Sequence, residues 1–99
     1  MKGYWIAHVQ VENIDQYEAY LAEAPSALSA FGARMLSRGE DFTVLEGANP
    51  TPTRAVVFEF DSYETALACY HSDAYQHARQ HRLSCSNATV LILKGLPQI

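Results

Sequence analysis

The sequence predicts an α+β domain of order β-α-β-β-α-β: a four-stranded antiparallel sheet with two broken helices on one face. Three observations predict it. Two amphipathic stripes with three- and four-residue steps lie between stretches suited to strands. Each predicted strand has one oily face, and in most the opposite face mixes apolar with polar groups, as alternation across a pleated strand allows. The chain has 99 residues, 48% apolar and 18% charged, enough for one domain with a real core.

The first strand covers residues 4–11. Trp5, Ala7, Val9 and Val11 share one face, and Tyr4, Ile6, His8 and Gln10 share the other. Asn13 then suits a helix N-cap, with Gln16 three residues on to complete a capping box. Ile14, Tyr17, Leu21, Ala24, Leu28 and Phe31 form the apolar stripe of the first helix. Pro25 predicts a kink or restart near Ala24, because it removes an internal hydrogen bond. Gly32 suits a left-handed C-terminal cap.

The second strand is predicted from Ala33 to Arg38, with Arg34, Leu36 and Arg38 on the face opposite Met35 and Ser37. Gly39-Glu40-Asp41 breaks it, residues 42–46 are expected to resume extended structure, and 47–53 form a loop. In the third strand, 54–60, Val56, Phe58 and Phe60 are backed by Ala55, Val57 and Glu59.

Asp61-Ser62-Tyr63-Glu64 repeats a capping signature and opens the second helix through Ala66, Leu67 and Tyr70. A break at residues 71–73 and a fresh cap lead into 74–83, bearing Tyr75, Ala78, Arg79 and Arg82. The continuous apolar run Thr89-Val90-Leu91-Ile92-Leu93 is expected to be a central or well-covered strand. Two right-handed βαβ crossovers joined by a hairpin give the ferredoxin-like arrangement. Its helix-free sheet face, carrying Ile6, Leu36 and Val57, is too apolar for open water, so a homodimer is expected.

Several function classes are excluded. A net charge of −4 argues against nucleic acid. No run approaches the ~20 apolar residues of a membrane span, and no signal peptide is visible, so a cytoplasmic protein is expected. Cys69 and Cys85 make neither a CxxC pair nor a disulfide framework, and both are expected to be structural or incidental. There is no phosphate-binding glycine loop and no nucleophile elbow.

Residues 1–9, the stretch from Phe31-Gly32-Ala33-Arg34 to Ser37-Arg38-Gly39, Val44-Leu45-Glu46-Gly47, Val57-Phe58-Glu59-Phe60 and residues 70–76 together resemble one family of small bacterial proteins. It is domain of unknown function 1330 (DUF1330), and the resemblance spans almost the whole chain in order. It implies a dimeric α/β-barrel related to the antibiotic-biosynthesis monooxygenases, and it implies no particular activity. This chain departs from the family pattern at Ala33, where a second glycine is usual, and at Cys69 and Asp73, where tryptophan and proline are usual.

Two constellations suggest chemistry. His8 and Glu59 are expected as direct or diagonal neighbours on adjacent strands, with Arg34 and Arg38 on the same face. An imidazole beside a carboxylate suits proton transfer, and arginine suits carboxylate or enolate oxygens. The alternative is a buried polar network that fixes dimer register. Around the second helix's break, Tyr70, Ser72, Tyr75 and Arg82 could line a cleft for an anionic or phenolic small molecule. The alternative there is aromatic packing, with Ser72 only a cap.

His77 and His81 stand four residues apart, but no acid lies between them and arginines flank them, so no metal is expected. The resulting expectation is cofactor-independent chemistry on a small organic compound, with His8 or Glu59 moving a proton and Arg38 holding an anion. The alternative is a non-catalytic dimer that binds a metabolite or a protein.

Overall fold

The computed structural model describes residues 1–37, 39–47 and 51–97. Its elements run β1 (Gly3–Val11), α1 (Ile14–Ala30), β2 (Arg34–Ser37), β3 (Arg54–Phe60), α2 (Tyr63–His71), α3 (Asp73–Leu83) and β4 (Ser86–Lys94). The sheet order is β2-β3-β1-β4 with every neighbour antiparallel. This is the ferredoxin-like fold the pattern predicts, the second helix being split at Ser72 into α2 and α3. Arg38 lies outside the described residues, as do 48–50 of the predicted loop.

Local chemistry explains where the helices start and stop. Asn13 Oδ1 accepts the Gln16 amide N–H at 3.1 Å and caps α1. The reciprocal half of the box is not made, because Gln16 Nε2 instead donates to Ser84 Oγ at 3.0 Å. Gly32, at φ +76, ends the helix: its N–H donates to Ser29 C=O and that of Ala33 to Leu28 C=O, a Schellman closure. Pro25 does not restart the helix. α1 runs through it, since the proline costs one backbone bond while Tyr17, Ala24, Ala27 and Leu28 stay buried on both sides. Ser62 caps α2 through the Thr65 N–H, and Ser72 caps α3 through the Tyr75 N–H.

The helices cover the sheet face that carries Trp5, Ala7, Val9, Val56, Phe58 and Phe60. Trp5 is the hub of that core: its ring packs edge-on to Tyr75 at 4.9 Å and beside Phe60 at 6.1 Å. Gly3 passes so close to α2 that a Cβ would stand 2.6 Å from Ser62 O and 2.8 Å from Tyr63 Cα.

Two expectations about strands need correction. Residues 42–46 form no strand; they cross as an exposed loop beside the open sheet face. β4 is an edge strand, not a central one. Its run is apolar on both sides because Val90 and Ile92 meet the helices, while Leu91 and Leu93 stand exposed on the open face.

Candidate functional site

Strand parity sends the two predicted constellations to opposite sides of the sheet. Glu59 is opposite Tyr4 on β1 and Arg34 on β2, whereas His8 is opposite Ala55. His8 and Glu59 are therefore neither direct nor diagonal neighbours. At 3.3 Å per residue they lie roughly 13 Å apart along the strand. The expected proton-transfer pair does not form.

Glu59 belongs to an open-face charge network. Its carboxylate accepts from Arg34 Nε at 3.1 Å and Nη2 at 3.0 Å, and from the Tyr4 hydroxyl at 3.2 Å. Arg34 also pairs with Asp61 at 3.1 Å, and Lys2 lies 3.5 Å from the same carboxylate oxygen. The hydrogen bonds and charge of Arg34 hold the Glu59 carboxyl below the usual range, which makes it a poorer base. His8 is exposed and lines, with Gln10, Phe42 and Thr89, a wide trough of about 760 Å³ on the same open face.

The second constellation converges inside the molecule. A narrower chamber of about 90 Å³ lies between the helix-facing side of the sheet and α1 and α3. That is far more than the ~15 Å³ one water needs, and it suits a compact molecule rather than a polycyclic one. Trp5, Val9, Leu28, Val56 and Phe58 supply much of its apolar lining. Its polar end is built by Tyr20 from α1 and by Tyr75 and Arg82 from α3, with Arg54 of β3 also lining the space.

The polar end is an ordered chain of donors. Arg82 Nη2 donates to the Tyr75 hydroxyl at 3.2 Å, and the Tyr75 and Tyr20 hydroxyls share one proton across 2.9 Å. Whichever tyrosine donates to the other, one O–H remains free for a ligand. The Arg82 guanidinium also lies 5.5 Å from the centre of the Tyr20 ring. Burial, then the Tyr75 hydroxyl, pushes the Tyr20 phenol far up, so it stays a protonated donor.

Arg82 is the unusual member. It is only 5% exposed, and it is the one charged residue in the core of the described chain. Among the described residues no carboxylate pairs with it; its partners are a phenol and a ring face. Buried charges are ordinarily paired, because desolvating an ion without a counter-charge costs several kcal/mol. The chamber thus gathers a buried cation and two phenols at one end, with the Arg54 guanidinium, itself 3.9 Å from Glu40, at its wall. Among the described residues its lining holds no histidine or carboxylate.

Of the sequence candidates, the fold thus brings Tyr75 and Arg82 together and Arg34 to Glu59. Tyr70 packs on Trp5 and Tyr75 outside the chamber lining, and Ser72 caps α3 while donating to Cys69 C=O at 2.7 Å. Tyr20 escaped the sequence reading. Its only signal was its place one helical turn after Tyr17, on the shoulder of the apolar stripe.

Comparison with known proteins fits this architecture. Residues 2–96 match the family model described as Domain of unknown function (DUF1330). No curated protein sequence matches. A protein of unknown function from Rhodopseudomonas palustris superposes with TM-score 0.75 at 14% identity, covering 98% of this chain and 84% of that one. A dimeric ferredoxin-like protein of unknown function from Jannaschia sp. CCS1 gives 0.70 at 13%, covering 96% and 100%. SnoaB, a cofactor-independent oxygenase from Streptomyces nogalater, gives 0.62 at 7%, covering 99% and 96%. At these identities the likeness is one of fold.

Proposed function

This chain belongs to the DUF1330 family, and we propose that it binds a compact organic anion, a carboxylate, phenolate or enolate, in the chamber between its sheet and α1 and α3. One observation carries the reading: Arg82 is buried against the chamber without a carboxylate partner among the described residues. An anion bound there would supply the missing counter-charge, and the free phenolic proton of the Tyr20–Tyr75 pair would give it a second hydrogen bond. The apolar walls then select a small hydrocarbon body.

The enzymatic extension is cofactor-independent oxygenation of a compound that arrives already as its anion. The same donors would stabilise enolate oxygen, and the chamber lining offers no base to generate the anion. SnoaB, a cofactor-independent oxygenase, supports this extension by fold analogy alone.

We infer that the working form is a homodimer joined through the open sheet face. Leu36, Leu91 and Leu93 are about half exposed there, beside Ile6 and Val57. Burying more than about 1,000 Å² of such surface gives a lasting interface.

Isothermal titration of the full chain with benzoate and salicylate tests the binding reading. Saturable uptake of one molecule per chain that weakens in Tyr75→Phe supports it. Absence of binding by every compact carboxylate and phenolate tried rules it out.

A further inference from the structure

Outside the chamber, the far side of the α1–α3 contact brings three metal-ligand side chains to one point. His77 and His81 lie one turn apart on α3, and Glu23 of α1 reaches between them. Glu23 Oε2 is 2.5 Å from His81 Nε2, and Oε1 is 3.1 Å from His77 Nε2. One ligand atom from each residue falls within 4.8 Å of the others. We propose that Glu23, His77 and His81 bind a divalent first-row transition ion, Zn²⁺ being the test case.

The donor set suits such an ion. Two imidazoles and one carboxylate are ligands that zinc accepts, at about 2.0–2.2 Å each. Donors around a tetrahedral ion then stand roughly 3.3 Å apart. Both histidines already present Nε2 to the same carboxylate, so small side-chain rotations complete the set. The three residues are partly to well exposed, which leaves the remaining positions to water and gives the ion a path in.

The sequence argued against a metal on two grounds, and the structure removes both. The missing acid comes from a different helix. The flanking arginines point elsewhere: Arg82 turns inward to Tyr75, and Arg79, about 200° around the helix from each histidine, bonds Gln76. α1 itself contains no lysine or arginine. Glu23 would neutralise half the ion's charge, and binding would clamp the two helices that wall the chamber.

Isothermal titration of the chelator-stripped full chain with ZnCl₂ alone, at about pH 7.5 where free imidazoles are neutral, tests the proposal. One ion per chain is expected, with saturable uptake. Glu23→Gln, His77→Ala and His81→Ala should each weaken binding at least about tenfold, since losing even an outer-shell partner costs ~10–100-fold. His71→Ala should leave it unchanged. These are surface positions, and a melting curve on each variant verifies that it is folded. Co²⁺ substitution should give visible absorption without a thiolate charge-transfer band. No saturable Zn²⁺ binding, or binding that survives His77→Ala and His81→Ala together, overturns the proposal and leaves the trio an ion-pair cluster.

Discussion

Replacing Arg82 by Met separates a ligand-binding role from a structural one, because the two predict opposite signs. Met keeps most of the apolar stem and removes the charge. In the ligand-free chain the variant loses a charge-assisted hydrogen bond to a phenol, worth about 1.5–3 kcal/mol, together with the cation–π contact on the Tyr20 ring. It also no longer buries a cation lacking a carboxylate partner, a relief of at least comparable size. Stability should therefore stay level or rise. A loss of 1 kcal/mol would lower the melting temperature of a domain this size by about 4–8 °C, so the variant should melt no more than about 4 °C below wild type. Affinity should move the other way. A charge-assisted hydrogen bond is worth about 1.5–3 kcal/mol, so benzoate or salicylate should bind roughly 10- to 140-fold more weakly. Differential scanning fluorimetry with titration of the same ligands measures both. A variant that melts much lower yet binds as before would refute the argument, for Arg82 would then be holding the core together and not awaiting an anion.

Three further outcomes follow. Because Arg34 holds Glu59 and Asp61 below the usual carboxylate range, the folded chain binds fewer acid-range protons than the unfolded chain. That stability is fully present only above about pH 5 and is lost as pH falls through the ordinary carboxylate values toward the folded ones. Glu59→Gln should flatten the acid limb of a stability–pH curve, and an identical limb would contradict the assigned network. Leu91→Asp puts a charge on the open face opposite Ile6 and should turn the proposed dimer into a monomer in sedimentation, whereas a wild-type chain that is already monomeric at micromolar concentration removes the proposed interface. Gly3→Ala drives a Cβ into the α2 backbone at 2.6 Å and should cost about 1–3 kcal/mol in denaturant unfolding, a cost absent if β1 can shift freely.

The fold was legible because local signals agreed with one another. Asn13, Ser62 and Ser72 mark helix starts by chemistry that works within four residues, and Gly32 marks an end in the same way. Strand alternation likewise placed Trp5, Ala7 and Val9 together on the buried face. Where two signals competed, the local one misled. Pro25 predicts a break, but tertiary burial on both sides of it outweighs one lost backbone bond. The Thr89–Leu93 run predicts a central strand, yet an edge strand whose outer face is itself apolar carries the same pattern.

The site was only half legible, and the reason is geometric. Parity tells which face of a strand a residue occupies, so Arg34 and Glu59 could be placed together; register tells which residue stands opposite, and β1 and β3 are joined by no tight turn that would fix it from the sequence. Glu59 stands four residues along β3 from the partner of His8, which is enough to separate the two. The helical residues pose a harder problem, because pairing between α1 and α3 has no period of its own. Tyr20 meets Tyr75 and Glu23 meets His77 and His81 across about 55 residues of sequence. One side of that single helix contact encloses a buried cation and the other exposes a carboxylate between two imidazoles. A sequence displays the charged groups without their distances, so an arginine that balances no acid looks like any surface arginine until the helices dock. Once they have docked, the absence of a carboxylate partner for Arg82 among the described residues becomes the strongest reason to look for an anion there.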